Sequence, residues 1–167
     1  DISQPKCFYI LDTLREKAEI PIWHDDQQGT ATVTLAGLIN ALKVVGKKME
    51  DVSIAFIGSG ASNVACSRLI FGWGADPAKC RMVDSKGILG KHRKDIEMRK
   101  AEYKDKWKLC NITNAGGREG EGRGDHRLHL LEVGKDLPPL LVVVEQLRAQ
   151  LQPRDRRLQV VPDGGQH

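Results

Sequence analysis

The chain has 167 residues, of which 40% are hydrophobic and 29% charged, with a formal net charge of +4, and this composition is typical of one globular domain. The positive charge is spread along the sequence and no apolar run approaches the ~18 residues of a membrane span, so we expect neither nucleic-acid binding nor a membrane anchor. The cysteines lack metal-ligand spacing and favour a cytoplasmic protein with free thiols: Cys7, Cys66, Cys80 and Cys110.

The first fifty residues predict two helices around a short acidic segment. Residues 4–19 carry apolar side chains at roughly helical spacing. Ile22–Trp23 is predicted as a short strand that leads into Asp25-Asp26. A second helix is expected over 30–45, with Gly29-Thr30 as the cap at its start.

Residues 52–84 have the length and pattern of one βαβ unit. Residues 52–57 are β-branched or aromatic at most positions, which is typical of a parallel strand buried on both faces. A helix is predicted over 61–73 and a second parallel strand over 80–83. The fold class is therefore α/β, a Rossmann-like parallel sheet with flanking helices, of which this chain holds an incomplete portion.

The remaining sequence is polar and gives weaker predictions. We expect one helix within 95–103 and a short edge element over 108–112. Further on, only residues 138–151 have a packing pattern, either as a strand over 140–144 or as an amphipathic helix.

The composition changes near Gly116. Up to that residue there are 13 Lys and 5 Arg, and after it 1 Lys and 7 Arg. A change of this size within one domain indicates a fused segment or a reading-frame error. The predicted organisation is a metal-site segment and helix over 1–50, a Rossmann-like NAD-binding region over 51–120, and an atypical Arg-rich tail over 121–167, disordered or frame-shifted.

Two glycines and an acid at the ends of the predicted strands indicate a dinucleotide site. Gly58 and Gly60 stand where a phosphate-binding turn needs a tight bend and a close approach of its backbone to the ligand. The following helix directs its free N–H groups at the phosphates. Asn63 replaces the third glycine of the usual motif. The predicted cofactor-binding residues are Gly58, Ser59, Gly60, Ala61, Ser62, Asp84 and Ser85.

Asp84 ends the second strand, at the distance from the glycines expected of a ribose-binding acid. A carboxylate there accepts hydrogen bonds from both ribose hydroxyls, which favours NAD over NADP. Lys86 nearby leaves room for a 2′-phosphate, so NADP remains possible. The alternative is a tight βα turn and a strand cap that bind nothing.

Asp25 and Asp26 are adjacent, so their side chains diverge and one can bind a metal while the other does something else. Hard divalent cations such as Mg²⁺ and Mn²⁺ prefer carboxylate oxygens. Asp1 is a third candidate ligand. The alternative is a pair of acids that stabilises the start of a helix, and His24 is expected to be structural.

Three segments together resemble malic enzymes. The segment 21–31 with 36–42 resembles their metal-site and helix segment, whereas Gly58–Ala61 and 82–87 resemble their cofactor-binding part. The resemblance runs from residue 1 to about 120. It implies oxidative decarboxylation of malate to pyruvate and CO₂, with NAD or NADP and with Mg²⁺ or Mn²⁺.

The resemblance also implies roles for the acids. Asp26 and Asp1 would hold the metal, together with a Glu that would precede residue 1. Asp25 would be catalytic, lying beside a catalytic lysine and influencing its proton transfer. That lysine and a catalytic tyrosine belong to an N-terminal domain which this sequence does not contain. We therefore expect the isolated chain to bind cofactor weakly and not to turn over malate.

The resemblance implies homodimers or tetramers for full-length members. Two other hypotheses stay open for this chain. One is a nucleotide-binding module without catalysis, and the other is a non-functional truncated product.

Overall fold

The computed structural model describes residue 2, residues 4–118 and the backbone of residues 141–145. Its helices and strands, in chain order, are α1 (Lys6–Lys17), α2 (Thr30–Val44), β1 (Ser53–Ile57), α3 (Ala61–Gly72), β2 (Arg81–Asp84), β3 (Gly87–Ile88), α4 (Lys94–Glu97), α5 (Lys104–Ile112) and β4 (Leu141–Glu145). A π-helical turn over Asp25–Gly29 leads into α2. None of the described helices is long and apolar enough to cross a membrane.

Four strands form one sheet in the order β3-β2-β1-β4. β1 lies parallel to both of its neighbours, and Phe56 is in register with Met82 of β2 and Val144 of β4. This parallel centre, flanked by helices, agrees with the predicted Rossmann-like class. β3 departs from the parallel arrangement because the chain turns back on β2 in a tight hairpin, which Gly87 permits with a φ of +129°.

The central strand β1 is buried on both faces, as its sequence predicts. Ile54 and Phe56 belong to the main apolar cluster, which collects side chains from α1, α2, α3 and α5. Ala55 and Ile57 point the other way and pack with Val83 of β2. Burial of this apolar surface is the main favourable contribution to the fold, and it fixes the end of β1, after which the chain reaches Gly58.

The three predicted N-terminal helices are confirmed to within two residues at each end, as α1, α2 and α3. The predicted cap of α2 is wrong. Gly29 is itself helical, with φ −62° and ψ −53°, and no side chain caps the helix. The chain enters α2 through the π-helical turn, in which the Thr30 amide donates to the carbonyl of Asp25.

Other local predictions fail where packing decides the structure. Ile22–Trp23 forms no strand, and Trp23 is exposed. The predicted edge element over 108–112 lies within α5, because Tyr103, Trp107 and Cys110 meet the main cluster at helical spacing. The predicted helix over 95–103 shortens to α4 and a series of turns.

The strand alternative for 140–144 is confirmed over 141–145 as β4, which pairs with the sheet's central strand. The rest of the Arg-rich tail, 121–140 and 146–167, lies outside the described residues, as do residues 119 and 120. Asp1, the second predicted metal ligand, also lies outside them.

Candidate functional site

The glycine turn follows directly from the end of β1. Gly58 has a φ of +97°, a left-handed conformation that favours glycine. Its amide donates to the carbonyl of Val83 at 3.0 Å, so the turn is attached to the neighbouring strand. Gly60 then precedes α3, and its carbonyl accepts the Val64 amide at 3.0 Å. The two glycines therefore bring the chain from a buried strand into a helix within three residues.

Asn63 closes this turn. Its side chain is 1% exposed, and its Nδ2 donates to the carbonyls of Ile57 at 2.7 Å and Gly58 at 3.0 Å. The sequence analysis noted only that Asn63 replaces the third glycine of the usual motif. The structure shows that it holds the turn instead, a role that suits a short side-chain amide able to bond nearby backbone.

The remaining predicted turn residues surround the start of α3. Ser59 and Ser62 are buried, and Ala61 is the first residue of the helix. The first N–H groups of a helix have no partner within it, and the helix dipole places positive potential there. An anionic group at this position therefore meets directed donors and a favourable field.

Asp84 lies at the end of β2, beside the turn, and is 9% exposed. Its Oδ1 accepts from the Lys86 amide at 2.9 Å and from Nη1 of Arg93 at 2.9 Å. Its Oδ2 accepts from Nη2 of Arg93 at 3.1 Å and from Nζ of Lys106 at 3.2 Å. A carboxylate has about four lone-pair positions, so these four bonds use its accepting capacity.

Arg93 is 7% exposed and links two carboxylates. Besides Asp84 it holds Asp95, through Nε at 2.8 Å and Nη2 at 3.0 Å. Bidentate pairing of this kind is the strongest way for a guanidinium to fix a carboxylate. The sequence analysis did not identify Arg93 or Lys106, because no spacing rule connects them to Asp84 across 9 and 22 residues.

The charges of this network shift the pKa values of its members. Burial alone would raise the pKa of Asp84, but the hydrogen bonds from Arg93 and the charge of Lys106 outweigh it and hold that pKa below its ordinary value. Hydrogen bonding to Arg93 lowers the pKa of Asp95 still further. Both carboxylates are therefore ionised at neutral pH.

A cleft of about 270 Å³ opens beside Asp84. Exposed Ser85 and Lys86 form the tip of the β2–β3 hairpin at its edge. Arg99 stacks over the ring of Tyr103 with 4.6 Å between guanidinium carbon and ring centroid. The lining residues are Asp84, Ser85, Lys86, Asp95, Ile96, Met98, Arg99, Tyr103 and Lys106.

The acidic segment has a different character. Asp25 and Asp26 are both exposed and begin the π-helical turn. Oδ1 of Asp25 accepts weakly from Nε1 of Trp23 at 3.4 Å. The carboxyl group lies over Gly29, where an added Cβ would come within 2.2 Å of Oδ1. The turn packs against both α2 and α3, so the structure brings it to the helix that follows the glycine turn.

The metal implied by the resemblance can be tested against the residues present. Within residues 4–118, no group of three or more His, Cys, Asp or Glu side chains is close enough to hold an ion. The π-helical turn supplies two exposed carboxylates, Asp25 and Asp26. The described residues therefore do not complete a metal site, and no chemical step is derived through one.

The family model described as malic enzyme, NAD-binding domain, matches residues 27–139. The chain belongs to the malic enzyme family. The glycine turn, Asn63 and the Asp84 network all lie within the matched range, whereas Asp25 and Asp26 lie just before it.

Similar proteins that are named malic enzymes support this assignment. The NADP-dependent malic enzyme of Haemophilus influenzae is 45% identical over 104 residues, which are 62% of this chain and 14% of that protein. The NAD-dependent malic enzyme of Geobacillus stearothermophilus is 38% identical over 122 residues, 72% of this chain and 23% of that protein. The chain thus matches a quarter or less of either relative's length.

Solved malic enzyme structures share the fold. The crystal structure of the Entamoeba histolytica malic enzyme has a TM-score of 0.73 and 46% identity, and covers 87% of this chain and 28% of its own. That of Pyrococcus horikoshii has a TM-score of 0.70 and 40% identity, and covers 87% of this chain and 32% of its own.

Proposed function

We propose that this chain forms the dinucleotide-binding part of an enzyme that oxidatively decarboxylates malate to pyruvate and CO₂ while NAD or NADP is reduced. The observation that carries the proposal is the glycine turn, closed by Asn63 and attached to the strand that ends in Asp84. Relatives at 38–45% identity named NAD- and NADP-dependent malic enzymes support the reaction class.

The proposed role of each part follows from its position. The N–H groups around Ser59–Ser62 face the pyrophosphate, where the start of α3 offers donors and positive potential. The wall formed by Asp84 and Ser85 receives the adenosine half of the cofactor. Asp25 takes the position beside a catalytic lysine that the resemblance implies, and its exposure leaves it accessible to another part of a longer protein.

We also propose Asp26, with Asp1, as ligands of Mg²⁺ or Mn²⁺. Because the described residues include no group of three or more possible ligands, the ion would need oxygens from outside them. Manganese titration followed by electron paramagnetic resonance tests this proposal. We expect Asp26→Asn to weaken the tightest Mn²⁺ site, with Asp51→Asn as the exposed control. Equal binding by both variants would reject it.

The nucleotide proposal is tested by titrating the chain with NADH and NADPH and following their fluorescence. We expect weak, saturable binding that falls about tenfold in Gly58→Ala, because a side chain at φ +97° strains the turn. Gly37→Ala is the control, since an added Cβ there meets nothing within 4 Å. If neither nucleotide binds, the proposal is wrong.

A nucleotide-binding module without catalysis is the second candidate, since the glycine turn closed by Asn63 supports nucleotide binding by itself. Malate-dependent reduction of NAD or NADP separates the two when the chain is combined with the isolated N-terminal domain of a family protein, which carries the catalytic lysine and tyrosine and has no cofactor domain of its own. The isolated chain is expected to show no turnover.

We propose a cytoplasmic location from the cysteines and an oligomeric state from the family. All four cysteines are buried and free, which suits the reducing cytoplasm, and burial raises the pKa of Cys80 to about 11. A dimer or tetramer follows from the resemblance alone, and sedimentation of the longer protein would measure it.

A further inference from the structure

Two residues on either side of the acidic pair are hydrogen-bonded to each other twice. The Gln28 amide donates to the carbonyl of His24 at 2.8 Å, and Oε1 of the Gln28 side chain accepts from the His24 amide at 2.8 Å. The two bonds close a ring in the chain, which we call the His24–Gln28 ring. Asp25 and Asp26 lie between its ends.

The His24–Gln28 ring resembles a capping box that is one residue longer than usual. In the usual box a Glu or Gln three residues after the N-cap accepts from the N-cap amide. Here His24 is the N-cap, with an extended backbone, and the glutamine follows four residues later. The π-helical turn accounts for the difference, because a π turn contains one residue more than an α turn. Gln28 thus gives a partner to an amide that the helix itself leaves without one.

The inner side of the ring is fixed in the core. Gln27 is 2% exposed, and its Nε2 donates a long hydrogen bond of 3.5 Å to the carbonyl of Cys7 in α1. The turn also packs against α2 and α3. Asp25 and Asp26 are exposed. The ring therefore sets the backbone from which both carboxylates project into solvent.

The position of the Asp25 carboxylate depends on the residues next to the two ends of the ring. Trp23 precedes the ring, and its Nε1 donates to Oδ1 of Asp25 at 3.4 Å. Gly29 follows the ring, and the carboxyl group lies so close over it that an added Cβ would collide with Oδ1. If the ring opens, Trp23 and Gly29 can move apart, and the carboxylate loses both constraints.

We propose that Gln28 is a positioning residue for Asp25, because its side-chain carbonyl keeps the ring closed and the closed ring holds that carboxylate in one place. The inference rests on the function proposed above, in which Asp25 lies beside a lysine from another part of a longer protein. A group that influences proton transfer must lie within hydrogen-bond reach of its partner. Displacement of Asp25 should therefore slow the chemical step more than it weakens substrate binding.

Three variants test the bond itself. Gln28→Leu removes the acceptor, Gln28→Asn shortens the side chain by one methylene group, and Gln28→Glu keeps an acceptor at the same length. Hydrogen exchange of the His24 amide, followed by NMR on the 167-residue chain, measures the effect. We expect about five- to tenfold faster exchange in Gln28→Leu and Gln28→Asn, the equivalent of one neutral hydrogen bond, and less than about twofold change in Gln28→Glu. Gln28→Asn keeps the test valid if Gln28→Leu fails to fold.

The indole resonance of Trp23 then reports the position of the Asp25 carboxylate. Asp25→Ala marks where this resonance lies when the carboxylate is gone. Gln28→Leu should move the resonance at least half of the way to that position, and Gln28→Glu should leave it close to that of the unchanged chain. Asn40→Leu is the matched control, since it removes a side-chain bond to the Ala36 carbonyl elsewhere on the surface of α2 and should change neither measurement.

Turnover gives a reading that a general loss of stability would not reproduce. When the chain is combined with the isolated N-terminal domain of a family protein, Gln28→Leu should lower kcat for malate-dependent reduction about tenfold and leave KM for malate within about twofold. Gln28→Glu should recover most of that loss.

The outcomes separate this inference from the function on which it rests. Unchanged exchange of the His24 amide in Gln28→Leu and Gln28→Asn overturns the ring, and faster exchange with an unmoved Trp23 resonance overturns the positioning of Asp25. Equal effects of Gln28→Glu and Gln28→Leu also overturn it, because the acceptor would then not matter. If the unchanged chain gives no turnover with the N-terminal domain, the proposed function fails, and the NMR measurements still decide whether Gln28 positions Asp25.

Discussion

Two carboxylates of this chain, Asp84 and Asp26, belong to regions built in opposite ways. Asp84 is buried, and protein donors occupy both of its oxygens. Asp26 is exposed at the start of a turn. The cofactor side of the molecule is thus held by contacts from its own described residues, whereas the acidic segment presents its functional groups outward.

The difference shows which part of the proposed chemistry this chain can support by itself. A phosphate-binding turn needs backbone amides, a helix start and a fixed loop, and residues 53–72 provide all three. A divalent ion needs several oxygens in an octahedral shell, and the two exposed aspartates of the acidic segment belong to no group of three or more ligands among the described residues. Nucleotide binding is therefore expected of the isolated chain, and metal-dependent turnover is not.

The largest expected effect is that of Arg93→Met. Its removal leaves the buried Asp84 and the half-buried Asp95 without their shared partner, and breaking the buried pair with Asp84 on one side costs about 3 kcal/mol. Urea unfolding followed by circular dichroism measures the loss. Arg99→Met is the matched control, since its pair with Glu102 is exposed and solvent screens it, so that its loss costs little stability. Similar losses of unfolding free energy in the two variants would show that burial does not increase the contribution of the Arg93 network to stability.

Asn63→Ala tests whether the turn is held from within. The variant removes the donor that two backbone carbonyls share, and we expect a loss of about 2 kcal/mol together with weaker NADH binding. Asn40→Ala is the control, because its Nδ2 makes a comparable bond of 2.8 Å to the Ala36 carbonyl in an exposed position. A loss no larger than that of the control would contradict the proposed role of Asn63.

Acid should weaken the Asp84 region selectively. The pKa values of Asp84 and Asp95 lie below the ordinary 3.8 in the folded chain, so their contribution to stability is complete above that pH and is lost as pH falls through the folded values. We expect a decline from about pH 4 to about pH 2 that becomes shallower in Asp95→Asn. Asp51→Asn, at an exposed turn position, is the control variant. A slope unchanged in Asp95→Asn would contradict the assignment.

The sequence could predict what depends on local pattern. The buried strand β1, the helices around it and the glycine turn follow from residues close together in the chain, and the structure agrees with them. The sequence could not predict that Arg93 and Lys106 would donate hydrogen bonds to the Asp84 carboxylate, because those contacts depend on where α4 and α5 pack. Because these donors already bond to both Asp84 oxygens, the ribose-binding role of Asp84 stays a prediction.

Helix α5 shows a milder form of the same limit. Residues 108–112 alone fit a short strand, yet the spacing of Tyr103, Trp107 and Cys110 fits a helix face once a longer window is used. The signal was present in the sequence but spread over eight residues of a polar segment. Packing of these side chains against the main cluster then favours the helix over the strand.

The smallest expected effect on stability is that of Gly29→Ala, which tests the exposed acidic segment. Gly29 has helical dihedral angles, so alanine fits its backbone, and we expect a change within about 0.5 kcal/mol. The new Cβ would lie 2.2 Å from Oδ1 of Asp25, so that carboxylate must rotate away and release the indole N–H of Trp23.

The indole resonance in a ¹H–¹⁵N spectrum should shift in Gly29→Ala and stay in place in Gly37→Ala. An unmoved resonance would mean that Asp25 does not depend on this space. A shifted one would show that glycine is needed here for the room it leaves a side chain, whereas at Gly58 it is needed for its own backbone conformation.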